Sequence, residues 1–142
     1  MVGDPTTDTS TGYHTQRYLI KTGLPEYLAK AQASGEPFSA FLLKFGTFYN
    51  QLDAPAREQA TQRIKNILDT ADFDEKTRMH EDTYFLLLRV ADGEKCAQKE
   101  HTLRSRLVST LRTTDFKVAA KSFTANGQDA ASVLQSLESA LQ

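Results

Sequence analysis

The apolar patterns along these 142 residues predict an α+β domain. Its centre reads βαββαβ, a ferredoxin-like arrangement with an antiparallel sheet flanked by helices. Three observations carry that reading. "FSAFLLKFG", residues 38–46, is short, aromatic-rich and apolar throughout, as a strand buried on both faces should be. Two strand-like runs, 73–79 and 84–91, surround a tight polar turn, His80-Glu81-Asp82-Thr83, which is a hairpin signal without the usual Asn-Gly. A helical stripe follows each half: Ala56, Ala60, Ile64, Ile67 and Leu68 after the first strand, and Leu103, Leu107, Val108 and Leu111 after the hairpin.

The remaining elements fall into place around that centre. Residues 1–11 are rich in Thr, Asp and Pro and read as a flexible N-terminal segment, leaving 12–142 as one domain. From 12 to 34 the pattern is helical, with Leu19, Leu24, Leu28 and Ala31 on one face; Gly23 and Pro25 predict a kink or break. "SGEP", 34–37, is a turn. Asp53 is placed to cap the next helix, with Pro55 in its first turn. "ADGEK" reads as a turn before a helix over about 95–112. "DFKVAAKSF", 115–123, alternates as a strand, "NGQD" turns, and a last helix over 128–141 buries Val133, Leu134, Leu137 and Leu141.

Composition excludes several function classes. A net charge of −1 with 25% charged residues gives no electrostatic case for nucleic acid or a membrane surface. Cys96 is the single cysteine, so a disulfide framework and a cysteine-based zinc site are both excluded, and a reducing compartment, the cytoplasm, is expected. No apolar run reaches the ~18 residues of a membrane span. The opening "MVGDPTTDTSTG" lacks the apolar core of a signal peptide.

The candidate chemistry is sparse. His80, Glu81 and Asp82 suggest a metal cluster, but three adjacent residues in one turn rarely converge on one ion, so a solvated turn is expected. His14 and His101 read as surface or capping histidines, and Cys96 as a buried or half-buried thiol. "KCAQKEHTLRSR" is moderately basic and reads as the wet face of a helix, with a partner-binding patch as the alternative. No catalytic residue, metal ligand or cofactor is assigned from the residues alone.

Several short stretches are familiar together. "DTSTGYHTQRYL" is similar to a D-x-L-T-G-L-x-N-R-R-x-F pattern, with Asp8, Thr11, Gly12 and Arg17 in register. "FSAFLLKFGTFYNQLD" is similar to L-D-x-D-x-F-K-x-I-N-D, keeping Phe48 and Asp53. "TRMHEDTYFLLL" resembles R-x-G-G-[D/E]-E-F-x-x-L-L, keeping Arg78, Asp82 and an aromatic at Tyr84. With "DFKVAAKSFTANGQDAASVLQSLESAL" resembling the closing strand and helix, the chain from Asp8 to Leu141 resembles the GGDEF domain, the bacterial diguanylate cyclase family that makes cyclic di-GMP from two GTP. The resemblance implies the GGDEF/nucleotidyl-cyclase type of ferredoxin-like fold.

It also implies that this is a degenerate member. The two signature glycines, which let the backbone wrap a triphosphate, correspond to His80 and Glu81. The fourth signature acid corresponds to Thr83; Asp82 alone keeps its carboxylate. The magnesium-binding aspartate of the first strand corresponds to Lys44, whose ammonium opposes a cation directly, and the second acid to Gly46. The residues that read guanine correspond to Leu52 and Thr61, and Tyr49 replaces a lysine. The R-x-x-D product-inhibition site is reduced to Ala71 and Asp74, without the arginine fork.

Taken over residue by residue, the resemblance implies a non-enzyme. It implies a signalling or scaffolding module that contacts a protein partner in a bacterial cyclic di-GMP-related pathway, with no cofactor. Binding of GTP or cyclic di-GMP is not expected. The alternatives are a nucleotide receptor using an altered pocket, a residual diguanylate cyclase, and an enzyme of new specificity, for which Glu81 and Asp82 are the only acids offered at the turn. Two further expectations follow: Lys44 and Asp82 form an ion pair where the metal would sit, and Phe45, Phe48 and Tyr49 either fill the vacated pocket or face a partner, filling being favoured. Without GTP bridging two copies, a monomer or a different dimer is expected.

Overall fold

The computed structural model describes residues 7–124 and 129–141. A short strand β1 (His14–Thr15) leads into one continuous helical stretch: α1 (Gln16–Tyr18), a π-helical turn (Leu19–Gly23) and α2 (Leu24–Ser34). Then follow β2 (Phe38–Phe45), α3 (Thr47–Asn50), α4 (Ala54–Thr70), β3 (Glu75–His80), β4 (Thr83–Arg89), α5 (Gly93–Leu111), β5 (Phe116–Phe123) and α6 (Ala130–Leu141).

The sheet order is β1-β3-β4-β2-β5. β2 pairs antiparallel with both β4 and β5, and β3 pairs antiparallel with β4, so β2 to β5 make the expected βαββαβ arrangement. β1 adds a parallel edge to β3 through His14 and Thr15. Two residues carry no alternation pattern, so this strand is invisible to a periodicity argument.

Helices cover both faces of the sheet. On one face Phe41, Leu43, Phe45, Tyr84 and Leu86 pack with Ile64 and Leu68 of α4 and with Leu103 and Leu107 of α5. On the other, Phe38, Leu42, Phe85 and Leu87 pack with Leu19, Leu24 and Leu28 and with Val133 and Leu137 of α6. That is why β2 and β4 read as unbroken apolar runs: both of their faces are interior. Lys44 is the one exposed residue of β2.

Three helical details differ from expectation. Gly23 and Pro25 do not break the first helix. Gly23 keeps helical angles (φ −62°), and the Leu24 N–H reaches back five residues to the Leu19 carbonyl. Proline has no N–H to give and its ring crowds the carbonyl four residues earlier, so widening one turn to π lets the helix continue past Pro25. α5 starts at Gly93 rather than about 95, because Asp92 caps it by accepting the Lys95 N–H at 3.0 Å. Val108, expected in the core, is 40% exposed: α5 buries Leu103 and Leu107, and Val108 lies past the edge of that stripe. The Asp53 cap is as expected, accepting the Ala56 N–H at 2.9 Å. Residues 126–128 of the "NGQD" turn lie outside the described residues.

Candidate functional site

The stretch from Asp8 to Gly12 is a clamp. Asp8 Oδ2 accepts the Thr11 N–H at 3.0 Å and the Thr11 hydroxyl at 2.6 Å, and the Gly12 N–H bonds to the Asp8 carbonyl at 2.7 Å. Gly12 closes this turn at φ +76°, a left-handed conformation that side chains resist. Gln62 of α4 holds the Ser10 carbonyl at 2.8 Å. Residues 7–11 are therefore tied to the domain and are not part of a loose tail; residues 1–6 lie outside the described ones.

Asp8 is held in turn by Arg78 of β3. Arg78 Nη1 lies 3.2 Å from Asp8 Oδ2, and the Arg78 side chain is only 8% exposed. Its Nη2 donates to the Tyr49 hydroxyl at 3.0 Å, to Thr61 Oγ1 at 3.4 Å and to the Glu81 carbonyl at 3.0 Å. Tyr49 and Thr61, both 1% exposed, share a further hydrogen bond at 3.0 Å. The guanidinium also stands over the Tyr84 ring, 5.8 Å from its centre. Burial penalises the Arg78 charge, yet Tyr84 and the Asp8 carboxylate hold its pKa above the usual arginine value. A second anchor lies behind it. Asp69 of α4 accepts from the Tyr13 hydroxyl at 2.7 Å, from Lys65 at 2.6 Å and from Lys76 at 2.9 Å. Burial works against the Asp69 charge, but these donors hold its carboxyl well below the usual carboxylate range.

The hairpin turn needs no glycine. Among the described residues, positive φ outside glycine occurs at Asp72, Val90 and Arg112, and not at His80, Glu81 or Asp82. β3 carries one extra residue at Met79, since Arg78 pairs with Tyr84 and His80 pairs with Thr83. Glu81 points outward and meets Arg57 at 3.4 Å. Thr83 is buried and donates to Asp82 Oδ1 at 2.9 Å, while Asn50 Nδ2 lies 3.3 Å from Asp82 Oδ2. Tyr84 is fully buried, and its hydroxyl has no hydrogen-bond partner among the described residues.

The expected ion pair between Lys44 and Asp82 does not form. Strand alternation is the reason. Phe45 belongs to the α4 side of the sheet, so its neighbour Lys44 points to the α6 side, and the Asp82 carboxylate turns instead to Asn50 and Thr83. Of the three aromatics, Phe45 and Tyr49 are buried and Phe48 is partly buried against the same cluster, so they fill the interior rather than face out.

A Cβ at Gly46 would lie 2.3 Å from Asp115 Oδ1, so a side chain there would displace that carboxylate. Asp115 accepts the Phe48 N–H at 2.7 Å, and its carbonyl accepts the Gly46 N–H at 3.0 Å, so the chain's own carboxylate caps α3. Leu52 packs against the core edge. Ala71 is buried at the end of α4, and Asp74 accepts the Arg89 N–H at 2.5 Å, closing the open end of the hairpin. Sequence reasoning brought the turn, Lys44 and Thr61 into one neighbourhood but missed Asp115 and the pairing of Asp8 with Arg78. Both are contacts between residues 67 or more positions apart, which no local pattern marks. Among the described residues no group of three His, Cys, Asp or Glu side chains is placed to hold a metal.

No protein-family model matches the chain, and neither does any curated protein. Solved structures do. A DGC protein from Thermotoga maritima is 20% identical with a TM-score of 0.76, the match covering 95% of this chain and all of that one. The GGDEF domain of DgcB from Caulobacter crescentus, solved in complex with c-di-GMP, is 15% identical with a TM-score of 0.82, over 99% of this chain and 88% of that one. The diguanylate cyclase SiaD from Pseudomonas aeruginosa, solved with its activator SiaC, is 16% identical with a TM-score of 0.80, over 95% of this chain and 56% of that one. At these identities the likeness is one of fold, and the fold of this chain is that of a GGDEF domain.

Proposed function

We propose that this chain is a catalytically silent GGDEF-like domain that acts by contacting a protein partner in a cytoplasmic, cyclic di-GMP-related pathway. The observation that carries this reading is the buried network of Arg78, Tyr49, Thr61 and Asp8. The resemblance aligns Thr61 with a residue that reads guanine. Here its hydroxyl is spent on Tyr49 and Arg78, inside the domain. Phosphoryl transfer depends on positioned metal and phosphate-binding groups. Lys44 stands at the aligned metal position, and His80 and Glu81 stand where the backbone would wrap phosphates. SiaD, a diguanylate cyclase seen with a protein activator, supports the idea that a partner can engage this fold.

Isothermal titration calorimetry against GTP with Mg²⁺ and against cyclic di-GMP tests the reading. Silence toward both is the expected result, together with no cyclic di-GMP formed from GTP by chromatography. A micromolar signal with cyclic di-GMP would overturn it in favour of a receptor, and product formation in favour of an enzyme.

A further inference from the structure

The end of the sheet away from the hairpin turn carries a cavity of about 220 Å³. Phe38, which opens β2, pairs with Arg89, which closes β4, and both meet the last turns of α2 there. The cavity lies on the α2 side of the sheet, since Tyr27 and Phe38 belong to that core cluster. Ala71 packs on the opposite side, and neither Ala71 nor Asp74 lines the cavity. It is therefore separate from every position that the family resemblance aligns with a nucleotide or a metal.

Sites for drug-sized molecules run to roughly 300–1,000 Å³, so this cavity has room for about one side chain. Its wall is aromatic. Tyr27 meets Phe38 edge to face with ring centres 5.7 Å apart, and Phe38 stacks on Phe123 at 5.3 Å. Ala31, Pro37 and Val90 complete the apolar lining.

Three features of the cavity serve no contact within the chain. Lys30 and Arg89 line it, and neither side chain has a hydrogen bond or an ion pair among the described residues. Glu36 is the one carboxylate in the lining, so cations outnumber it two to one. The Tyr27 hydroxyl is enclosed and has no hydrogen-bond partner among the described residues. Val90 is 43% exposed and holds φ +50°, a left-handed conformation that a β-branched side chain resists. Single exposed apolar residues and lone surface cations are ordinary. Here both kinds border one aromatic cavity that also holds an unpaired hydroxyl.

We propose that this cavity is a docking site for a partner protein, taking one aromatic side chain from an extended acidic segment whose neighbouring carboxylates are held by Lys30 and Arg89. The inference deepens the partner reading above and rests on it. The excess of cations decides against a basic segment, and the small volume decides against a nucleotide.

The test is an amide-shift titration of the intact chain with the peptide acetyl-Glu-Phe-Glu-amide. Acetyl-Gln-Phe-Gln-amide, acetyl-Glu-Ala-Glu-amide and inorganic phosphate are the comparisons. The acidic aromatic peptide is expected to shift the Ala31, Gly35, Phe38, Arg89 and Val90 amides and to saturate with a Kd below about 5 mM. Each comparison lacks one half of the recognition and should bind about fivefold more weakly or worse. Lys30→Gln and Arg89→Gln should each weaken the peptide about threefold. Val90→Gly relieves the strained backbone and should leave the melting temperature near that of the parent chain, yet weaken the peptide by a similar factor. Absence of shifts at these amides, equal binding of either comparison peptide, equal shifts with phosphate alone, or unchanged affinity in both charge variants would overturn the proposal. Such a failure strikes this surface alone. The partner reading falls separately, on a calorimetric signal with cyclic di-GMP or on product formed from GTP.

Discussion

The two faces of the sheet meet the hairpin turn in opposite ways. On the α4 side, Arg78 is almost fully enclosed and all its partners come from the chain itself: Asp8, Tyr49, Thr61 and the Glu81 carbonyl. On the α6 side, Lys44 and Lys117 stand side by side on neighbouring strands at an open groove, with no partner among the described residues. Lys44 and the buried Phe45 are consecutive, so one step along a strand separates the closed face from the open one. The comparison teaches that a cation near the turn is structural or available according to strand parity, not to its distance from the turn.

Arg78→Ala should break the closed face most severely. It takes one donor from Asp8, which keeps Thr11, and one from the Tyr49 and Thr61 hydroxyls, which keep each other, so the loss of this part-buried network should cost about 1–3 kcal/mol. Denaturant unfolding measures this, and a loss under about 1 kcal/mol would mean the network is peripheral. Arg78→Lys should recover only part, because an ammonium cannot supply the fork that reaches Asp8 and Tyr49 together.

Tyr84→Phe runs the other way. It removes a buried hydroxyl that has no partner among the described residues, and should stabilise by about 1 kcal/mol. Destabilisation by the same amount would place a donor or acceptor at that hydroxyl.

The Asp69 anchor adds a pH signature. Its folded pKa is depressed, so its contribution is present at neutral pH and is lost as pH falls below the unfolded value of about 3.9. Acid titration of stability should therefore show a shallower fall in Asp69→Asn than in the parent chain below pH ~4, from a lower neutral-pH stability. Parallel acid limbs would remove Asp69 from the account.

Lys44→Gln is the smallest expected effect. Relief of one cross-strand repulsion should raise stability by a few tenths of a kcal/mol, and the gain should shrink at high salt. A loss instead would mean that Lys44 has a native partner and that the open face is not open.

Legibility in the sequence followed the range of each contact. The Asp53 cap and Pro55 start of α4, the both-sides-buried β2 and the βαββαβ order are all local or periodic, and they stand in the structure. β1 was too short to announce itself. The π turn was visible only as a conflict between a helical stripe and Pro25. Val108 was placed on the wrong side of a stripe boundary, where a helix step of one residue turns the side chain by about 100°. The site divides in the same way. His80, Glu81, Asp82 and Thr83 were legible as a polar turn, which the structure narrows to Glu81 and Asp82 between His80 of β3 and Thr83 of β4, whereas the partners of Arg78 and the capping of α3 by Asp115 were not legible.

The chain's own pattern determined β2 to β5, the longer helices and the turn that joins β3 to β4, because capping, periodicity and turn chemistry act over a few residues. Only the tertiary structure decided that Arg78 is enclosed, that Lys44 turns away from Asp82 and that Lys117 stands opposite Lys44. Those outcomes depend on register between strands far apart in sequence, where a shift of one residue would exchange the two faces.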